Sequence, residues 1–274
     1  MPRTPNYEQQ FVNGLHEGVR LILTGNPVIV DTTLRTLQLA IVATALGTLV
    51  GVPCGCLLGL GRSRRSRALL GVAGAVARVP PVAIGVLTVL LLTEASPWGG
   101  GPLAGLHWYT TSKSGYLAQA LLAAPIVTTL TASAVAGVPD ALLDQARAYG
   151  ARTWRRWALA LRQARRRVLA GVIAAMGVTI TSVGALIVAT ASADVNTRGE
   201  VSAQPLTLAL GAFHAINETQ LGQATATQTP ALTVPTQALA VAYATVLLGL
   251  FVLIAALLTW LQQRRSPLLA EILS

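Results

Sequence analysis

The stretch LRTLQLAIVATALGTLVGVPCGCLLGLGRSRRSR, residues 34–67, decides the fold class. Arg35 is the only charged residue between positions 34 and 60, and no further charge follows until Arg62. A helix of about 20 apolar residues crosses the hydrocarbon core of a bilayer, so 34–60 is long enough to span it. Pro53 and the glycines of this run would break a helix in water, but membrane helices tolerate both. The run stops at RSRRSR, residues 62–67, a tight basic loop. The whole chain agrees with this stretch. Of its 274 residues 53% are hydrophobic and only 11% charged, against roughly 25% charged in soluble domains. The apolar content excludes a disordered basic tail, and a soluble nucleic-acid binder carries far more polar surface. An all-α integral membrane protein is expected, with the lipid bilayer and no nucleic acid as its surroundings.

Downstream, a second span is predicted over 68–93, containing Arg78 and the Pro80-Pro81 pair. Residues 94–116 are rich in glycine, proline and aromatics and read as an interfacial loop, with Trp98, Trp108, Tyr109 and Tyr116 at headgroup level. A third span covers 117–138, a basic loop 139–167, a fourth span 168–191 and a last span 235–261. Between the last two lies an outer segment, 192–234. Its apolar piece 205–216 is too short to span and is expected as a re-entrant or surface helix. Upstream, 1–33 forms a lead-in. Its mildly amphipathic part, 7–30, is expected either on the membrane surface or as a partly ordered approach to the first span. The first 30 residues lack the ordered features of a cleavable secretory signal. Fourteen of the twenty basic residues fall in 62–67, 139–167 and the tail after 261. The positive-inside bias therefore places these three in the cytoplasm and the N-terminus outside. The net charge of +10 equals the excess carried by the first two loops alone.

The 139–167 loop is the most informative. Asp140 is predicted as a helix N-cap and Asp144 lies in the first turns, where the helix dipole favours negative charge. Leu142, Leu143 and Ala146 supply an apolar stripe, and Gly150 suits the left-handed turn that ends a helix. A second short helix is predicted from Thr153, with Thr153 available as its cap, before the chain re-enters the membrane at Val168. Trp154 and Trp157 have the character of interface anchors. From the residues alone two readings stand: a docking element for a partner, or a solvated loop that serves only as a topological anchor.

Asp144-Gln145-Ala146-Arg147-Ala148-Tyr149-Gly150-Ala151 resembles the EAA loop of type I ABC importer permeases. An acid, two small residues and a glycine six positions after the acid recur there; Gln145 stands where the family has an alanine, and Ala146 and Gly150 match. LRQARRRVLAGVIAAMGVTITSVGALIV, residues 161–188, is similar to the corresponding stretch of the tungstate/molybdate-type permease group, including Val183-Gly184-Ala185. TGNPVIVDTTLRTLQLAIVATALGTLVGVPCGCLLG (24–59) and VPPVAIG (79–85) resemble the first two spans of that group.

The resemblance implies a type I importer transmembrane domain (MetI-like), with about five transmembrane helices and a cytoplasmic coupling-helix loop. It implies a non-catalytic permease subunit for an oxyanion, tungstate first and molybdate or sulfate next. The implied ATPase-coupling residues are Asp144, Gln145, Ala146, Gly150, Ala151, Trp154 and Trp157. A second copy of the chain, two ABC ATPase subunits and an extracytoplasmic substrate-binding protein are the implied partners, in a prokaryotic cell membrane. ATP and Mg would be bound by the partner ATPase. The residues agree, since a P-loop needs G-x-x-x-x-G-K-[ST] and the only lysine, Lys113, has no such context. Alternatives are a permease for an amino acid or osmolyte, an ATP-independent channel or secondary transporter, and a structural subunit of a membrane complex. A secondary transporter predicts paired intramembrane acids or a discontinuous-helix ion site, and spans two to four contain no Asp or Glu.

Candidates for a translocation path are Arg78, Thr128, Thr131, Thr181 and Ser182, with Thr129, Ser133 and Thr179 nearby in sequence. Hydroxyls facing a pore solvate an oxyanion without trapping it. The plain alternative is that such hydroxyls bond their own helix backbone and that Arg78 snorkels to the headgroups. Cys54 and Cys56 are two apart in an apolar run and read as inert packing. His16, His107 and His214 fall on separate segments and read as surface or interfacial residues, with no metal site expected.

Overall fold

The computed structural model describes residues 16, 19–61, 63–93, 100–109, 111, 113–190, 207–208, 212 and 236–263. Among these there is no strand. Eight α-helices follow one another: α1 Pro27–Leu60, α2 Arg64–Val76, α3 Pro81–Leu92, α4 Lys113–Ala136, α5 Asp140–Ala148, α6 Thr153–Thr181, α7 Val183–Thr190 and α8 Thr236–Gln263, with one 3₁₀ turn at Ala104–Leu106. Among the described residues three helices are long and apolar enough to cross a membrane alone, or up to five spans if each bent pair counts as one.

The first helix starts well before position 34. Asn26 caps it, its side chain accepting from the Val28 N–H at 3.0 Å, and Pro27 occupies the first turn, where a missing N–H costs nothing. Asp31 and Arg35 pair at 2.8 Å one turn apart. The 34-residue helix is about 51 Å long at 1.5 Å per residue, well beyond a bilayer core of about 30 Å.

One seam organises the bundle. Gly47, Gly51, Gly55 and Gly59 stand four apart on α1 and face α4. A Cβ on Gly51 would lie 2.8 Å from Val127 Cβ, and one on Gly55 would lie 2.6 Å from Thr131 Cβ. On Gly47 the nearest atom would be Ala123 Cβ at 2.7 Å, and on Gly59 the Ala132 carbonyl oxygen at 2.6 Å. No side chain larger than hydrogen fits, and the backbones approach as they do at small-residue interfaces in membranes. The α1–α4 contact is the most extensive among the described helices.

The register of contacts fixes the topology. Residue numbers rise together along the α1–α4 seam, so these helices are parallel, and the intervening chain must traverse the bundle once. That traverse is α2 and α3, which meet at 102°. The predicted span 68–93 is therefore two helices. Pro80 and Pro81 supply no N–H to the preceding turn and push Val79 and Pro80 out of the helical region. No residue of α2 is buried. Against α4 the order reverses: Gly171 faces Leu130, Gln119 bonds Ser182 and Ser114 bonds Ala189. Hence α6 and α7 run back antiparallel to α4. They bend by 57° at Ser182. Ile29 packs near Tyr243 and Ala40 near Ile254, so α8 runs parallel to α1.

The second short helix predicted between Thr153 and the membrane is instead continuous with the fourth span. α6 runs unbroken for 29 residues, about 43 Å, because TWRRWALALRQARRR contains no glycine or proline to stop it. The outer segment 192–234 lies almost wholly outside the described residues. Leu208 is fully buried against Leu21, Ile29, Ala242 and Tyr243, and its N–H donates to Thr36 Oγ1 at 2.8 Å. His214, the lead-in before His16 and the arginines of the tail also lie outside the described residues.

Candidate functional site

The turn after α1, the loop holding α5 and the end of α8 share one end of the bundle, which gathers Arg64, Arg65, Arg67 and the arginines of the 139–167 stretch. The α5 helix is held there by an apolar cluster. Leu143 is buried with Val135, Val138, Ala160, Ala164 and Val168, and Cys56 of α1 joins them as a free thiol. The opposite face of α5 is open, with Asp144, Gln145, Arg147 and Ala148 exposed.

The predicted cap differs from what forms. Pro139 occupies the N-cap and Asp140 is the first helical residue, where its charge favours the positive end of the helix dipole. Likewise Arg152, not Thr153, precedes α6. The end of α5 is as expected. Gly150 has φ +76°, its N–H donates to the Arg147 carbonyl at 2.9 Å, and the Ala151 N–H donates to the Ala146 carbonyl at 2.9 Å. This is a Schellman turn. It leaves Tyr149 92% exposed, and Trp154 one turn further on is 61% exposed. The Arg155 guanidinium lies 5.4 Å from the Trp154 ring centroid, a cation–π distance. Trp157 is half-buried. Asp144, Gln145, Gly150, Ala151 and Trp154 thus share one small knob at the foot of α6.

Two features of this end were missed in the sequence. Arg156 Nε is buried without a hydrogen-bond partner, an orphan donor within the knob. A cavity of about 880 Å³ lies between the α4–α5 junction and α6, lined by Arg162, Arg165, Arg166 and Arg167 among others. At its edge Gly137 makes room for the Arg167 side chain, because the guanidinium occupies the place where a Cβ would be. The arginine run was visible in the sequence; its convergence with a glycine 30 positions upstream was not.

The path candidates do not converge. Thr128 and Thr131 are buried in the α1–α4 seam, and Thr128 Oγ1 donates to the Ala124 carbonyl at 2.8 Å. Thr181 is exposed and bonds the Gly177 carbonyl at 3.1 Å. Arg78 is exposed at the α2–α3 bend and folds back onto the Gly74 carbonyl at 3.1 Å. The Ser182 backbone hydrogen-bonds a side chain of another helix. It marks the α6–α7 break, and its carbonyl accepts from Gln119 Nε2 at 3.1 Å. One turn back, the Thr44 and Thr179 hydroxyls meet at 3.4 Å. Gln119, Ser182, Thr44 and Thr179 are all buried and form a polar layer inside the bundle. Gln119 was absent from the sequence candidates because one amide in an apolar run has no local signature.

Three comparisons bear on identity. A probable anion ABC transporter permease protein of Haloferax volcanii is 28% identical over 160 residues, covering 58% of this chain and 67% of that protein. A crystal structure of an amino acid ABC transporter with histidines superposes with a TM-score of 0.55 at 15% identity, over 89% of this chain and 96% of that one; at that identity it shows the fold alone. Residues 51–267 match the family described as binding-protein-dependent transport system inner membrane component. The chain belongs to that family: it is a non-catalytic permease subunit of an ABC importer, a class that works with ATPase subunits and a substrate-binding protein.

Proposed function

We propose that this permease carries a tetrahedral oxyanion, tungstate first and molybdate or sulfate next, and takes its drive from ATPases docked on α5. The observation that carries the coupling is the α5 knob: fixed by Leu143 on one face, open at Asp144, Gln145 and Tyr149 on the other, and joined to the unbroken rod of α6. A push on α5 is delivered by that rod to the break at Ser182. Two copies of the chain, with the path on their two-fold axis, are needed because so few spans do not enclose an aqueous route. The basic end faces the cytoplasm, which sets the N-terminus outside. The anionic cargo is supported by the arginine-lined cavity at that end and by the name of the Haloferax relative.

Capture of its partner ATPase on the detergent-solubilised permease tests the coupling. Trp154→Ala is expected to weaken capture by about 30-fold or more, the loss typical of an aromatic interface anchor. Undiminished capture overturns the α5 site. Titration of tungstate, molybdate, sulfate and a neutral amino acid into the accompanying binding protein tests the cargo, and preference for the amino acid removes the oxyanion assignment.

A further inference from the structure

We infer that Gln119 is a positioning residue of the transport cycle: its amide latches the break between α6 and α7, and its release lets α3 and α7 move as one body. This rests on the importer reading and on coupling through α5, but not on the identity of the cargo.

A helix break inside an apolar bundle leaves carbonyls without their usual partners. At Ser182 the carbonyl is met by Gln119 Nε2 of α4, 3.1 Å away. Gln119 is fully buried. Yet its Oε1 and the Ser182 Oγ, also buried, both lack a partner. Buried unpaired polar atoms are unfavourable, so this junction forms one hydrogen bond while leaving two polar atoms unsatisfied. Such a contact is shallow, and an alternative arrangement that satisfies these atoms competes with it.

The packing around the latch has the same asymmetry. On the α4 side, α7 rests on small side chains, Ala118 against Ala185 and Ala189, with the Ser114 Oγ bond to the Ala189 carbonyl at 2.7 Å. Alanine surfaces part without unlocking interdigitated side chains. On the α3 side the contact is reciprocal and deep. A Cβ on Gly85 would lie 2.7 Å from the Ala185 carbonyl oxygen, and one on Gly184 would lie 2.6 Å from Val82 Cγ2. The α3–α7 contact is broader than that of either helix with α4. Both helices also begin at a break, of 102° before α3 and 57° before α7. Two segments hinged at their starts and locked to each other form one body, and Gln119 holds that body where the α6 rod ends.

Membrane vesicles carrying the permease with its ATPase, in a Cys54→Ser, Cys56→Ala background, supply the test. N-ethylmaleimide labelling of Ser182→Cys is followed with no nucleotide and with ATP plus vanadate. The resting rate is expected to be low and to rise about fivefold in the trapped state, the factor that one net hydrogen bond supplies. Gln119→Met, which keeps the shape without the donor, and Gln119→Leu are expected to raise the resting rate to the trapped level, with melting temperatures of the complex followed in parallel. Equal rates in both states overturn the latch, as does a resting rate unchanged in both Gln119 variants. Tyr149→Cys is the control for coupling. Protection of Tyr149→Cys by the ATPase, with no change at Ser182→Cys, overturns the latch alone. Absence of that protection overturns the coupling reading and the latch with it.

Discussion

Gly150 shows how one residue sets the shape of the α5 knob. Its φ of +76° lies in the left-handed region, and nothing stands within 4 Å of a Cβ placed on it. Substitution there acts through backbone conformation and not through a clash. A β-branched residue in that conformation costs about 1–2 kcal/mol and is relieved by unwinding the turn. Asparagine adopts it readily. Gly150→Val is therefore expected to lose ATPase capture, while Gly150→Asn keeps most of it; a valine variant that captures as well as the parent would show that the Schellman turn is irrelevant to docking. This residue was legible in the sequence because a glycine after an amphipathic turn has a local meaning. Asp140 was legible only in part. Aspartate favours the N-cap, but the preceding proline already has the extended backbone that a cap needs, so the helix starts one residue earlier than expected, at Asp140.

At the level of elements, close approach matters more than hydrophobicity. The four glycines of α1 let its backbone touch α4, and any side chain there must push the helices apart. Gly55→Leu is expected to destabilise the detergent-solubilised permease by about 1–3 kcal/mol or more, as overpacking does. Gly71→Ala on α2 is the matched control, with nothing within 4 Å of the added methyl. It should be neutral or up to about 1 kcal/mol stabilising, from helix propensity. Thermal melts in one detergent compare the two, and equal melting temperatures would exclude a glycine seam. The rod of α6 makes a second prediction. Gln163→Pro, at an exposed position in mid-helix, removes one backbone bond at a cost of about 3 kcal/mol or more. ATPase capture should persist while uptake of the carried solute falls sharply; retained uptake would mean that α6 need not be rigid. The apolar runs of these elements were readable from hydropathy, and the bends were not. Proline in a membrane helix is compatible with a straight span or a sharp break, and only the neighbouring helix decides. At Ser182 the residues in the break are a threonine, a serine and a valine, none of which marks a hinge.

At the scale of the whole molecule, the parallel run of α1, α4 and α8 and the return of α6–α7 place the basic segments at one end. Charge counting reached the same grouping from sequence because lipid asymmetry acts on sums of charge and is indifferent to bends within a span. What charge counting lacks is shape. It does not reveal that α2 lies at 102° to α3, with no residue buried and Arg64, Arg65 and Arg67 at its start. The topology gives a test free of any assumption about cargo. In the background without native cysteines, Ser63→Cys before α2 and Tyr149→Cys after α5 should react with a membrane-impermeant maleimide in inverted vesicles lacking the ATPase. Gly105→Cys, exposed in the 3₁₀ turn between α3 and α4, should react from the opposite side. If the α2–α3 pair only dips into the membrane and returns, Gly105→Cys labels from the same side as Ser63→Cys. The parallel seam of α1 and α4 then has no route by which the chain could have formed it, so that pattern would overturn the topology as a whole.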